Sequence, residues 1–97
     1  MRVVRRKRFL SDLASAHTHL TSKSPAAAEG FLVEVERLVN LLHEFPKVGR
    51  GREELSPGVR SFRVRRYRHL LFYRAHPDRL ILLRLIHGAR KIGPGAV

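Results

Sequence analysis

The spacing of apolar residues changes once along this chain, at Pro46, and the change separates helices upstream from strands downstream. From Arg8 to about Leu20, Phe9, Leu13, Ala16 and Leu20 recur at steps of four, three and four, which places them on one helical face. Thr21 to Ser24 break that pattern. Ser24-Pro25 then reads as a helix start: serine accepts a bond from a free amide, and proline at the first helical position forfeits no hydrogen bond. The second helix carries Ala28, Phe31, Val35, Leu38, Leu42 and Phe45 on one stripe, each large member contributing about 1.5–3 kcal/mol if fully buried. Gly30 weakens its first turns and marks a point where the two helices are expected to pack closely.

Beyond Pro46, the run PKVGRGREELSPG reads as a loop. Val59 to Arg65, His69 to Ala75 and Leu80 to His87 then alternate or run apolar at strand length, separated by short breaks, so they form an antiparallel meander. In the last strand Leu80, Leu82, Arg84 and Ile86 are set against Ile81, Leu83, Leu85 and His87. Both faces are apolar, so this strand should be central and covered. Met1 to Arg5, with Val3 and Val4, adds a short strand or arm. The expected architecture is a single α+β domain over residues 1–97: an N-terminal strand and two antiparallel helices packed on one face of a small, mainly antiparallel sheet, whose other face carries arginines.

At 97 residues there is room for one small core. The charge of +12 is uneven: residues 1–44 hold seven Lys/Arg against five acids, and residues 45–97 hold thirteen against three. That field attracts polyanions or acidic protein segments without choosing between them. No cysteine is present, which removes disulfides and thiolate metal sites and suits a reducing cytoplasm. No apolar run approaches the roughly 18 residues of a membrane span. The start of the chain has the Arg- and Ser-rich bias of a transit peptide, yet the same residues serve as strand and helix of the domain.

Candidate functional residues concentrate between Arg60 and Arg74, where six arginines and no acid fall within fifteen residues. Arg63, Arg65, Arg68 and Arg74 are candidates for a face that binds phosphate or carboxylate through planar guanidinium forks; the alternative is a solvated face that blocks strand pairing. Arg84, alone inside LILLRLIH, is costly to bury unpaired, so it should meet a carboxylate such as Glu53 or Glu54 or open into a ligand groove. His87 ends the same strand before Gly88 and reads either as a proton-transfer group or as a cap bonded to backbone. His17, His19, His43 and His76 read as structural, and Tyr67 and Tyr73 as packing residues. The carboxylates form no spaced pair, and no P-loop, dinucleotide fingerprint or nucleophile elbow occurs, so no metal or cofactor is expected. An enzyme built from these residues would act with Arg, His, Lys and Tyr alone, chemistry that suits cleavage of RNA through its own 2′-hydroxyl.

The run SPAAAEGFLVEVERLVNLL, followed by FPKVGRGREELSPGVRSFRVRRYRHLLFYR and then ILLRLIHGARKI, resembles the ParE branch of the ParE/RelE toxins of type II toxin–antitoxin pairs, over about residues 8–92. The resemblance implies two helices on a curved antiparallel sheet, and a cognate acidic antitoxin whose disordered segment folds on the toxin. Relatives of the ParE kind inhibit DNA gyrase; RelE-like relatives cut messenger RNA on the ribosome. On the first reading the toxin is not an enzyme, and Arg60, Arg63, Arg65, Arg68, Arg74, Arg84 and Arg90 are the partner-binding candidates. On the second, Arg74, Arg84 and His87 are the catalytic ones. The tail KIGPGAV lacks the C-terminal tyrosine or histidine of RelE-type cutters, and Lys91 stands where ParE relatives usually have aspartate.

Overall fold

The computed structural model describes residues 1–97. Its elements are β1 (Arg2–Arg5), α1 (Lys7–Lys23), α2 (Pro25–Glu44), β2 (Arg50–Gly51), β3 (Val59–Arg63), β4 (His69–Ala75) and β5 (Arg79–His87). Ser24 serves both helices. Its N–H donates to the Leu20 carbonyl to close α1, its Oγ accepts from the Ala27 N–H at 3.2 Å to open α2, and Pro25 follows as expected. The residues from Thr21 to Lys23 stay helical, so the polar break in the sequence overestimated the linker: one extended residue suffices to turn the chain.

The strands form one sheet in the order β1-β5-β4-β3-β2, antiparallel except for β1, which runs parallel to β5. The helices cover one face, where Phe31, Val35, Leu38 and Leu42 meet Val64, Leu71, Tyr73 and Leu80. Three sequence expectations fail here. Phe45 lies past the end of α2 and is 54% exposed, because Pro46 stops the helix before the stripe reaches it. Gly30 faces the turn between β3 and β4 rather than α1: a Cβ there would lie 2.8 Å from the Tyr67 hydroxyl, which donates to the Ala27 carbonyl. The alternation along β5 breaks at a bulge, since Phe72 faces Arg84 while Tyr73 faces Leu82, leaving Leu83 without an opposite residue. Leu85 therefore joins Leu80 and Leu82 on the helix side, and Ile86 joins Ile81 and Leu83 on the other.

The other face is not a bare arginine surface. Val59, Phe72, Ile81, Leu83 and Ile86 form a second apolar cluster there, roofed by Leu55 from the loop and by Ile92 and Val97 from the C-terminal tail. The loop also contains β2, two residues that pair with Arg60 and Ser61.

β3 ends at Arg63, two residues before its expected limit, because the chain turns: the Tyr67 N–H donates to the Val64 carbonyl, and Arg66 takes a left-handed conformation with φ of 70°. That conformation costs an L-residue roughly 1–2 kcal/mol and suits glycine. Arg66 is exposed. Arg66→Gly is thus expected to raise stability by about 0.5–1 kcal/mol, seen as a higher urea midpoint at unchanged slope. A lower midpoint would mean that the arginine side chain stabilises the turn.

Candidate functional site

The arginine-rich stretch is divided by the sheet. The register pairs Val59 with Arg74, Ser61 with Phe72 and Arg63 with Leu70 on the outer face, while Arg60 points to the helix side opposite Tyr73. Several guanidinium groups are occupied by structural bonds. Arg60 donates to the carbonyls of Gly49 and Lys47, at 2.9 and 3.2 Å. Arg74 donates to Ser56 Oγ at 2.6 Å and to the Pro57 carbonyl, holding the loop against the sheet. Arg63 donates to the Tyr67 carbonyl across its own turn. Arg65, Arg66, Arg68 and Arg90 are exposed, and their side chains take part in no hydrogen bond or ion pair.

Arg84 meets a carboxylate, as its sequence reading requires, but that carboxylate is Asp12. Arg84 is 7% exposed and pairs with neither Glu53 nor Glu54, and it lines an open hollow of about 410 Å³ beside Arg6, Lys7, Arg8, Leu83 and Val97. Its Nε donates to Asp12 Oδ2 at 2.6 Å, Nη2 donates to Asp12 Oδ1 at 3.1 Å, and Nη1 donates to the Ala96 carbonyl. Asp12 Oδ2 also accepts the Leu85 N–H at 3.0 Å. β1 pairs with β5 only as far as Leu82, so this carboxylate from α1 occupies the strand edge that β1 leaves uncovered. Glu53 instead accepts the Gly58 N–H, and Glu54 pairs with Arg52, whose hydrogen bond holds the Glu54 carboxyl below the usual carboxylate range.

His87 lies opposite His69, rings 5.2 Å apart and edge-on, and its Nδ1 accepts the Ala89 N–H, the backbone-capping arrangement. His69 is packed on Phe31; burial, and then the His87 and His19 charges, lower its pKa, so its imidazole is neutral at pH 7. Arg74 faces Ile81 at the far end of β4, which puts roughly 16–17 Å of strand between it and His87. Arg74, Arg84 and His87 therefore do not converge.

Arg2, Arg6, Arg8 and Arg50 are also exposed and unpaired, but the free arginines from Arg60 onward fall into two groups. Arg68 and Arg90 flank the His87 end, where the Gly88 N–H donates to the Arg68 carbonyl. Arg65 and Arg66, at the turn, rim a groove of about 690 Å³ between α2 and the end of β3, with Leu38, Leu41 and Phe62 as its apolar floor. Asp12, which pairs with Arg84, and Glu34, which lines the groove, are in the sequence two among eight acids that form no spaced pair. Glu34 did carry a signal: it lies three residues after Phe31 and four before Leu38, on the buried stripe itself.

A helical hairpin on one face of a five-stranded, mainly antiparallel sheet is the fold that the sequence resemblance implies. The chain belongs to the ParE toxin family of type II toxin–antitoxin systems: the model of the ParE toxin of the parDE system matches residues 3–92. It is 30% identical over 88 residues to Toxin ParE3 of Caulobacter vibrioides, covering 90% of this chain and 86% of that protein. A solved structure described as the chromosomal ParDE TA system from P. aeruginosa shares the fold, with a TM-score of 0.76 at 22% identity over 90% of this chain and 95% of that one. No helix is long and apolar enough to cross a membrane.

Proposed function

We propose that this toxin works in the cytoplasm by binding DNA gyrase, and that an acidic, partly apolar antitoxin segment holds it inactive. The observation that carries the reading is the division of the arginines. Those needed for RNA cleavage are spent or dispersed: Arg84 is buried in its pair with Asp12, and Arg74 is tied to the loop at the far end of the sheet from His87. Those left exposed and unpaired from Arg60 onward, Arg65, Arg66, Arg68 and Arg90, suit capture of an acidic protein surface, where rim charges set the association rate and its salt dependence.

The test is a supercoiling assay of purified gyrase with this protein added, beside a map of messenger RNA ends after induction in cells. The expected result is inhibited supercoiling or cleaved DNA, with transcripts intact. Arg68→Glu together with Arg90→Glu should raise the half-inhibiting concentration at least tenfold without lowering the melting temperature. Transcripts cut within ribosome-bound codons, with supercoiling normal, would replace this reading with ribosome-dependent RNA cleavage.

A further inference from the structure

The groove between α2 and β3 holds one group that its basic rim does not explain. Glu34 projects into it from α2, 8% exposed, and its Oε1 has no hydrogen-bond partner. The Arg37 Nε is 3.6 Å away, within ion-pair range but too far for a hydrogen bond. A buried acceptor without a donor weakens the free protein and is rare in native structures. Around it stand Arg37, Arg63, Arg65 and Arg66, four cations to one carboxylate, above an apolar floor. Two of the four sit on a turn whose left-handed Arg66 occupies a conformation better suited to glycine. An acid whose buried oxygen lacks a hydrogen-bond donor, at the side of a groove rimmed by four arginines, is a local defect that a ligand bringing a donor would relieve.

We propose that this groove receives a protein segment in which acidic side chains outnumber basic ones, and in which a single lysine or arginine, seated among apolar residues, donates to Glu34. Charge complementarity selects this occupant: the rim takes the acids, the Leu38, Leu41 and Phe62 floor takes the apolar side chains, and Glu34 rejects a segment that brings no donor. The segment has room to continue along the sheet. β2 covers β3 only at Arg60 and Ser61, and a second hollow of about 390 Å³ adjoins the groove through Phe62 and Arg63. The inference rests on the antitoxin reading, names the antitoxin's docking place, and makes Glu34 a specificity-determining residue for cognate pairing.

The probe is the antitoxin encoded beside this toxin, titrated calorimetrically against wild-type toxin and three variants. Arg65→Glu with Arg66→Glu should weaken binding at least a hundredfold. Glu34→Gln should weaken it at least tenfold. Glu34→Met should weaken it similarly while melting higher than wild type, a combination that a merely structural glutamate would not give. Alanine replacement of each Lys and Arg in the antitoxin, against wild-type and Glu34→Met toxin, should find one whose loss matters only while Glu34 is present. Wild-type toxin that binds no antitoxin would overturn the antitoxin reading and this inference with it. Antitoxin that binds every groove variant as tightly as wild type would overturn the groove alone, and the absence of any basic residue coupled to Glu34 would overturn the donor assignment.

Discussion

Asp12→Ala is expected to destabilise this protein by about 3–5 kcal/mol, a large share of the roughly 5–15 kcal/mol that holds a typical domain folded. The carboxylate meets Arg84 through two hydrogen bonds and caps the Leu85 N–H, and the two side chains are only 8% and 17% exposed, Arg84 first. Removing it leaves a buried guanidinium with the Ala96 carbonyl as its remaining acceptor and an unpaired amide at the edge of β5. The cost comes chiefly from that stranded charge, so the double variant Asp12→Ala/Arg84→Met should be more stable than Asp12→Ala alone, even though it has lost more contacts. Urea unfolding followed by circular dichroism measures both. A loss under about 1 kcal/mol for Asp12→Ala would show that water reaches Arg84 and replaces the carboxylate. The pair also bears on how activity is read: loss of toxicity in Arg84→Ala reports damage to the fold before it reports lost chemistry.

The elements were legible because each follows a local rule. The period change at Pro46, the Ser24-Pro25 start and the alternation within β4 depend on neighbours a few residues apart, and the structure places them as the spacing requires. The misplaced residues depend on pairings across the chain. The partner of Arg84 lies 72 residues away on α1, and no spacing rule singles out Asp12 over Glu53 or Glu54. The inserted Leu83 reverses the faces of every later residue in β5, so alternation correctly predicts a strand there and wrongly assigns its sides. For the basic stretch, the sequence shows how many arginines there are but not which backbone carbonyls claim them; Arg60 and Arg74 are indistinguishable from Arg65 until the loop from Pro46 to Gly58 is in place. Glu34 is the intermediate case. Its position on the apolar stripe is visible in the sequence, while its lack of a donor emerges only once Arg37 is placed too far to bond.

Gly49→Ala is expected to cost about 2–4 kcal/mol, because the space that a side chain would need at residue 49 is taken by Tyr73. The Tyr73 side chain is fully buried, and its hydroxyl closes the loop by donating to the Pro46 carbonyl at 2.8 Å and accepting the Gly49 N–H at 2.9 Å. Burial raises its pKa above 10, the usual tyrosine value, so the neutral donor persists across the physiological range. A Cβ on residue 49 would lie 2.8 Å from Cε1 and 2.9 Å from Cζ of that ring, besides crowding the hydroxyl. With Tyr73 packed in the main core, the loop has to move instead. Movement breaks both hydroxyl bonds, frees Arg60 from the Gly49 carbonyl and loosens the start of β2. Tyr73→Phe alone should cost about 1–3 kcal/mol, because it leaves the same two backbone groups unpaired. The double variant should fall short of the sum of the singles by about 0.5–3 kcal/mol, since the removed oxygen is one of the atoms the new methyl would strike. Denaturation midpoints of the four proteins close the cycle. If Gly49→Ala instead falls within 0.5 kcal/mol of wild type, the Tyr73 ring yields to the methyl and the loop is held by Arg60 rather than by the phenol.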